Sequence, residues 1–213
     1  MLIVSFIILA SLVSPRIHTN VQERSSLQDV DYSAFLLLND SHYEPIDQLM
    51  VLLTQYGREV VWSLAGILLL IFGGSTGRKT LVIMAITIIV LVPIGALAKE
   101  IIARPRPTID DNSFLIAPDK EFAFPSGHAL LVSAGAAIML ALFRNTYKRR
   151  LVSIGLAIEA ALVCFSRVYV GGHYPLDVVG GILLGVGVAF IFVASVKPIS
   201  QHFLQPIART LKI

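Results

Sequence analysis

The chain has little charge and almost no cysteine. Only 15% of its 213 residues are charged and 55% are hydrophobic, whereas a soluble domain usually carries about 25% charged residues. The apolar residues are gathered in long runs and the mean hydropathy is +0.78, which is the pattern of a membrane protein. An ordinary soluble globular fold is thereby excluded, and the length leaves no room for a second, soluble domain.

The single cysteine, Cys164, rules out an intramolecular disulfide. It lies in an apolar run, and we interpret it as a small buried hydrophobic residue. The net charge of +3 does not indicate a nucleic-acid partner, because the basic residues lie mainly at the ends of apolar runs, where they orient membrane helices. The expected partners are membrane lipids and no nucleic acid.

Six apolar runs approach the length of about 20 residues that a helix needs to cross a bilayer. They are residues 1–15, 60–77, 81–98, 129–143, 151–165 and 178–196, of which the first extends to about residue 18. The prediction is an all-α integral membrane bundle of six transmembrane helices, forming one membrane-embedded domain over residues 1–213. The first run lacks the basic start and the cleavage site of a signal peptide, so we expect it to be retained.

The segment of residues 16–58 is expected to be hydrated. Residues 29–56 alternate polar and apolar side chains, which predicts short amphipathic helices, lying either at the outer membrane interface or packed over the bundle. Residues 73–77 are rich in glycine and predict a turn between two spans. The one acid inside a predicted span, Glu159, is expected to have a structural role, either paired with a polar group across the bundle or placed nearer the membrane interface.

Two short basic loops decide the expected orientation. One contains Arg78 and Lys79, and the other is the cluster over residues 144–150. Cytoplasmic loops of membrane proteins are enriched in such residues. We therefore expect both termini in the cytoplasm, the opposite helix ends outside, and a plasma-membrane location.

Three clusters of chemically active residues lie at those outer ends. The first cluster lies at the exit of the third span and contains the cations Lys99, Arg104 and Arg106. A proline follows each of the two arginines, and Pro105 and Pro107 stop the helix. Cations in this position either bind a phosphate or contact lipid headgroups. The fourth span opens with Pro125-Ser126-Gly127-His128, where a capping serine, a glycine and free N–H groups form an anion site beside a proton donor.

The third cluster connects the fifth and sixth spans and runs from Ser166 to Asp177. His173 and Asp177 are four residues apart, so one helical turn brings them together. An aspartate on one ring nitrogen makes the other nitrogen a better nucleophile. Arg167 supplies a planar fork suited to phosphate oxygens. The three clusters together provide what phosphoryl transfer needs: positioned cations, a nucleophile and an acid.

The motifs resemble those of the type-2 phosphatidic acid phosphatase superfamily, which also includes vanadium haloperoxidases. The family pattern K-x6-R-P, P-S-G-H and S-R-x5-H-x3-D is met in order and without departure over residues 99–177. The resemblance implies a metal-independent phosphatase with no cofactor, in which His173 is the nucleophile, Asp177 orients it and His128 protonates the leaving group. It assigns the phosphoryl oxygens to Lys99, Arg106, Ser126, Gly127 and Arg167. Arg104 lies outside the pattern, and two expectations are open for it: an accessory contact with a second phosphate or a lipid headgroup, or ordinary solvation.

The substrate expected from this resemblance is a lipid phosphate or diphosphate. A polyprenyl diphosphate, undecaprenyl or dolichyl, is favoured, because an outer-face site and a small six-span chain suit a glycan carrier. Phosphatidic acid or phosphatidylglycerol phosphate suits the same motifs. A phospho-group transferase and a binding-only membrane protein are the alternatives of another class, and the sequence predicts no oligomeric state.

Overall fold

Every regular element among the residues that the structure describes is a helix. The structure is a computed structural model and describes residues 1–16, 26–39, 42–108, 115–116 and 120–195. The elements are α1 (Leu2–Val13), α2 (Ser26–Asn39), α3 (Glu44–Leu52), a π-helical segment (Leu53–Val61), α4 (Trp62–Phe72), α5 (Gly74–Ile102), α6 (Gly127–Leu142), α7 (Tyr147–Tyr169) and α8 (Pro175–Ala194). The all-α prediction is confirmed. The predicted extension of the first span to residue 18 and the chain after residue 195 lie outside the described residues.

Four helices in the described part of the chain are long and apolar enough to cross a membrane. They are α5, α7, α8 and a continuous helix, Glu44–Phe72, that joins α3, the π-helical segment and α4. The two remaining apolar helices, α1 and α6, are shorter, with 12 and 16 residues. The chain is therefore a multi-pass membrane protein, and the count of six spans stays a prediction.

The helix that carries the second predicted span begins much earlier than that span. Residues 44–58, expected to be hydrated and to hold a short amphipathic helix, form the first half of one continuous helix that ends at Phe72. Asp47 and Thr54 in this half face α7, whereas Glu44, Gln48 and Gln55 are exposed. The Thr54 and Ser166 hydroxyls lie 2.7 Å apart, and the Tyr169 hydroxyl donates to Asp47 Oδ1 over 2.8 Å.

The turn predicted over residues 73–77 is also shorter than expected. The helix breaks only at Gly73, and α5 starts at Gly74, which has a φ of 63°. Glycine adopts this left-handed conformation without steric cost. On the other loop at this end, the guanidinium of Arg149 donates to the carbonyl of Gly73 over 3.2 Å. The two basic loops therefore lie side by side at one end of the bundle.

Helix α2 packs over the bundle and does not lie apart from it. Its Phe35 is fully buried and meets the ring of Tyr174 edge-on at 5.2 Å between centroids. Asp31, one turn earlier, is also buried. Of the two expectations for this segment, packing over the bundle is the one that the structure supports for α2.

Helix α6 lies at the centre and meets α8 almost backbone to backbone. A Cβ atom at Gly185 would lie 2.3 Å from the carbonyl oxygen of Leu130, and one at Gly181 would lie 2.6 Å from that of Ser126. Small residues four positions apart allow this approach between membrane helices. Because Gly181 is one turn from Asp177, the contact places the start of α6 against the start of α8.

We predict that Gly185→Ala destabilises the protein, because the added methyl group has no space between α6 and α8. Overpacking of this kind costs about 1–3 kcal/mol. The matched control is Gly155→Ala on α7, where a Cβ meets nothing within 4 Å, and which should gain roughly 0.5–1 kcal/mol from helix propensity. Thermal unfolding in detergent measures both. An equal or raised midpoint for Gly185→Ala would show that the two helices are not in close contact.

Candidate active site

The three motifs meet at the end of the bundle opposite the basic loops. Backbone hydrogen bonds connect the segments that carry them. The Ser126 N–H donates to the carbonyl of Asp177 over 2.9 Å, and the His173 N–H donates to that of Arg167 over 3.1 Å. The first bond fixes the start of α6 to the first turn of α8, and the second fixes His173 to the end of α7. The prediction that these clusters share one end of the bundle is confirmed.

His173 and Asp177 form the buried pair that their spacing predicts. Nδ1 of His173 lies 3.5 Å from Oδ2 of Asp177, and the side chains are 2% and 0% exposed. The same Oδ2 accepts the backbone N–H of Tyr174 over 2.9 Å, which holds the carboxylate at the first turn of α8. Nε2 of the imidazole is left directed away from this pair, and His173 lines the cavity described below.

Burial lowers the pKa of His173 to about 4, although the neighbouring Asp177 carboxylate acts in the opposite direction. An ordinary histidine titrates near 6.5. The imidazole is therefore neutral over the physiological pH range, and a neutral ring nitrogen carries the lone pair that a nucleophile requires.

Arg104 lies in a different place from the one expected. It was predicted to contact a second phosphate or a lipid headgroup, but it is buried, and its guanidinium binds two carboxylates. Nη1 is 2.6 Å from Oδ1 of Asp177 and Nη2 is 2.5 Å from Oδ2 of Asp31. Its plane also lies over the ring of Tyr174, with 4.3 Å to the centroid. Burial opposes the charge of Arg104, but the two carboxylates outweigh it and raise its pKa. Arg104 thus reaches the site through Asp177.

Asp31 is a residue of this network that the sequence did not single out. Besides pairing with Arg104, its Oδ1 accepts the backbone N–H of Leu176 over 2.8 Å. It therefore connects α2 to the first turn of α8. The only sequence signal was an acid in an amphipathic segment, and nothing in the spacing of residues 29–56 linked it to the motifs.

Two of the predicted phosphate-binding cations lie at the mouth of the site. Arg106 donates from Nη1 to the carbonyl of Gly172 over 2.6 Å and lies 3.3 Å from Nε2 of His173. Its Nε donates to the carbonyl of Glu121 over 2.8 Å. Lys99, at the last turn of α5, pairs with the Glu121 carboxylate. Arg106 thus lies beside the ring nitrogen of His173 that faces away from Asp177.

Arg167 lies behind His173, in the last turn of α7, and is 2% exposed. A Cβ atom at Gly172 would lie 3.1 Å from its Nη2. A larger residue at this position of the connecting loop would press on the guanidinium, which would have to shift slightly.

Helix α6 starts where the sequence predicts, with Ser126 as the N-cap residue, but the serine side chain makes no capping hydrogen bond. Ser126 is fully buried, and its Oγ has no hydrogen-bond partner among the described residues. A Cβ atom at Gly127 would meet nothing within 4 Å. The helix start therefore combines open space at its first residue with an unpartnered buried hydroxyl, and helix N-termini are sites where anions bind.

A cavity of about 1010 Å³ begins at these residues. Its polar end is lined by predicted site residues, namely Lys99, Arg106, Gly127, His128 and His173. The rest of its wall is mainly apolar and runs between α4, α5 and α6, past Val92 and Met84 to Leu81. Four other predicted residues, Arg104, Ser126, Arg167 and Asp177, are buried around its polar end.

Sequence reasoning missed Arg58, which lies in the π-helical segment and also lines the cavity. Its Nη1 is 3.5 Å from Nδ1 of His128. A signal was present: Arg58, Trp62 and Gly66, all of which line the cavity, are spaced as one helical face that starts before the predicted second span. Treating residues up to 58 as hydrated concealed this face.

Comparison with known proteins agrees with the geometry. Residues 76–200 match the model of the PAP2 superfamily, and the chain belongs to this superfamily. It is 39% identical over 161 residues to an undecaprenyl-diphosphatase of Sulfolobus acidocaldarius, covering 75% of each chain. It is 32% identical over 153 residues to the undecaprenyl-diphosphatase BcrC of Bacillus subtilis, covering 71% of this chain and 75% of the relative.

Two solved structures share the fold. One is the PAP2 type phosphatidylglycerolphosphate phosphatase of Bacillus subtilis, with a TM-score of 0.67 and 24% identity over 95% of this chain and 96% of that one. The other is LpxE of Aquifex aeolicus, with a TM-score of 0.61 and 22% identity over 82% of this chain and 99% of that one. The resemblance stated from the motifs is confirmed.

We predict that Arg104→Gln strongly destabilises the protein, since it leaves two buried carboxylates without their cation. Removing one partner of a buried pair costs about 3–5 kcal/mol. Adding Asp31→Asn removes one of the two charges and should recover part of the loss. Thermal unfolding in detergent measures the effect, with the exposed Arg78→Gln as a control that should stay within about 0.5 kcal/mol. A midpoint for Arg104→Gln equal to that of the control would contradict the network.

Proposed function

We propose that the chain is a polyprenyl diphosphate phosphatase, acting on an undecaprenyl-type carrier lipid. The chain is a phosphatase of the PAP2 superfamily. The observation that carries the substrate proposal is the cavity, in which cations and two histidines occupy one end and apolar side chains line the remainder. Two relatives above 30% identity are undecaprenyl-diphosphatases, and this agrees with a diphosphate headgroup on a long apolar chain.

The apolar part of the cavity suits a long lipid chain. Its wall follows α5 from Lys99 to Leu81, a distance of roughly 27 Å at the rise of an α-helix, close to the thickness of the hydrocarbon core. A soluble phosphate ester has no apolar chain that could fill this part of the cavity. Binding of the tail therefore positions the headgroup at His173 and His128.

In the proposed reaction, Nε2 of His173 attacks the terminal phosphorus. The bond between that phosphorus and the bridging oxygen breaks, and its electron pair stays on the oxygen, which takes a proton from His128. The lipid monophosphate leaves, and water then attacks the phosphohistidine and releases inorganic phosphate. Asp177 holds Nδ1, so that the other nitrogen carries the lone pair.

The charge that develops on the phosphoryl oxygens is stabilised by groups already in place. Lys99, Arg106 and Arg167 supply the cations, and the Ser126 hydroxyl and the Gly127 N–H supply neutral donors. Preorganised donors of this kind commonly provide the largest part of catalysis. Because these protein groups bind the phosphoryl oxygens, the proposed mechanism includes no metal-dependent step.

The proposal places the site on the extracytoplasmic face, with six spans and both termini in the cytoplasm. Helices α1 and α6 would complete the six with the four long helices. Supporting this orientation, the basic loops joined by Arg149 and Gly73 lie at the end opposite the site, and such loops face the cytoplasm. A carrier lipid recycled after export would be met on the outer face.

The second candidate is a phosphatidylglycerol phosphate phosphatase, which the fold likeness to the Bacillus subtilis enzyme favours. A two-chain glycerolipid would use the same phosphate-binding groups. The two candidates differ in the leaving group, which is a phosphate in the first and an alcohol in the second.

We predict that purified protein releases phosphate from a polyprenyl diphosphate in the presence of a chelator, and that His173→Ala abolishes this release. The substitution removes the nitrogen that forms the covalent intermediate, so the loss should exceed about 10³-fold. The panel is a polyprenyl diphosphate, phosphatidic acid, phosphatidylglycerol phosphate and a soluble ester. Faster release from phosphatidylglycerol phosphate would favour the second candidate, and near-normal activity of His173→Ala would exclude this nucleophile. Transfer of the phosphoryl group from the lipid to an added alcohol, without release of free phosphate, would indicate a transferase.

We also predict an acid limb of kcat/KM near pH 4 and not near 6.5. Activity requires unprotonated His173, and burial lowers its pKa to about 4, so turnover should be lost only as the pH falls through that value. The pH profile of kcat/KM is measured with two substrates whose phosphates have different pKa values. An acid limb with the same midpoint for both substrates reports a group of the enzyme. A midpoint near pH 6.5 would contradict a buried neutral imidazole.

A further inference from the structure

Arg58 is a cation at the active site that belongs to none of the three motifs. It lines the cavity, and its Nη1 lies 3.5 Å from Nδ1 of His128. Its Nε and Nη2 pair with the carboxylate of Glu59, the next residue. Arg58 is thus beside His128, whereas Arg106 is beside Nε2 of His173.

The helix that carries Arg58 is fixed against α7 on both sides of this residue. On one side, the hydroxyls of Thr54 and Ser166 are 2.7 Å apart. On the other, Trp62 Nε1 donates to Glu159 over 2.9 Å. The expected pairing of Glu159 across the bundle is thereby confirmed.

Between these two contacts the π-helical turn lets the backbone pass close to α7. A Cβ atom at Gly57 would lie 2.5 Å from Cγ2 of Val163, so the close approach depends on a residue without a side chain. π-Helical turns within α-helices occur frequently at functional sites. The local geometry holds the Arg58 backbone in one place beside the start of α6.

The position of Arg58 has a chemical meaning within the proposed function, on which this inference rests. The oxygen that meets His128 is the one that leaves. In a lipid diphosphate that oxygen belongs to the inner phosphate, which carries a non-bridging anionic oxygen both before the bond breaks and after His128 has protonated the leaving oxygen. In a lipid monophosphate it belongs to an alcohol, which leaves neutral once protonated. A cation beside the proton donor therefore has an anionic partner on the leaving group only in the first case.

We propose that Arg58 binds the inner phosphate of a lipid diphosphate and makes the enzyme select diphosphates over monophosphates. The guanidinium offers the paired N–H groups that phosphate oxygens accept. The motif cations hold the terminal phosphate, and Arg58 holds the group that departs with the lipid.

The contact seen without substrate fits this role. Arg58 can donate to Nδ1 of His128 only while that nitrogen is unprotonated. An anionic phosphate oxygen is a stronger acceptor than a neutral ring nitrogen. Binding of the inner phosphate therefore draws Arg58 away from His128 and leaves Nδ1 able to take a proton, which the imidazole needs before it can act as an acid at its other nitrogen.

The test compares one lipid chain with two headgroups. Farnesyl diphosphate and farnesyl monophosphate are assayed with wild type, Arg58→Gln and Arg58→Lys, and phosphate release gives kcat/KM for each. Losing a hydrogen bond to a charged group corresponds to about a 10-fold to 100-fold loss, expected for Arg58→Gln on the diphosphate only. The monophosphate rate should change less than about threefold, and Arg58→Lys should restore part of the diphosphate rate.

The controls separate the role of Arg58 from the fold and from the proposed function. Arg78→Gln removes a charge at the other end of the bundle and should match wild type on both substrates, and unfolding midpoints show that each variant is folded. An equal loss on both headgroups, or no loss on either, would overturn the proposal. Wild-type protein that cleaves only the monophosphate, or neither, would instead contradict the proposed function, whatever the variants do.

Discussion

The guanidinium of Arg104 is buried between two carboxylates that come from distant parts of the chain, Asp31 in α2 and Asp177 in α8. Removing such charges from water is costly, so each must keep its partners in the folded protein. Asp177 also faces His173, and Asp31 also holds the first turn of α8 through Leu176. The same interaction therefore fixes His173, the start of α8 and the position of α2 over the bundle.

The backbone of Asp177 and of Arg104 also connects this ion-pair network to the other parts of the site. The backbone of Asp177 receives the N–H of Ser126, which brings the anion-binding start of α6 to the imidazole. The carbonyl of Arg104 receives the N–H of Ala123 over 2.8 Å and ties the exit of α5 to the segment before α6. Backbone hydrogen bonds thus hold the segments that carry the three motifs in contact with one another.

Much of this site could be predicted from the sequence because its residues lie at fixed spacings in three motifs. The pairing of His173 with Asp177 followed from one helical turn, and the capping position of Ser126 followed from the start of an apolar run. The assignment of Arg104 was wrong because a sequence shows a cation near a helix end but not the carboxylate that will meet it. Asp31 supplies that carboxylate from about 70 residues away, and no local pattern indicates such a partner.

The errors in the fold have a related cause. The polar residues between Glu44 and Arg58 suggested contact with water, since polar side chains usually avoid the membrane. In the structure two of them bond to α7, Thr54 to Ser166 and Asp47 to Tyr169. Composition therefore hid the continuity of this helix, and with it the position of Arg58 on the cavity wall. Whether a polar residue faces water or a neighbouring helix is decided by packing, which composition does not record.

The close contact of α6 with α8 at Gly181 and Gly185 has a consequence for how this family of enzymes diversifies. Where the backbones of α6 and α8 touch, no side chain lies between them that could repack if one helix moved. The part of the protein formed by these two helices, which carries the motif residues, is therefore rigid. The tail-facing wall on α4 and α5 is built from ordinary apolar side chains, such as Met84 and Val92, which repack at little cost. Preference for one lipid over another can therefore change by substitutions on those two helices while the reacting groups stay in register. Evolution can then alter the choice of lipid without altering the reaction.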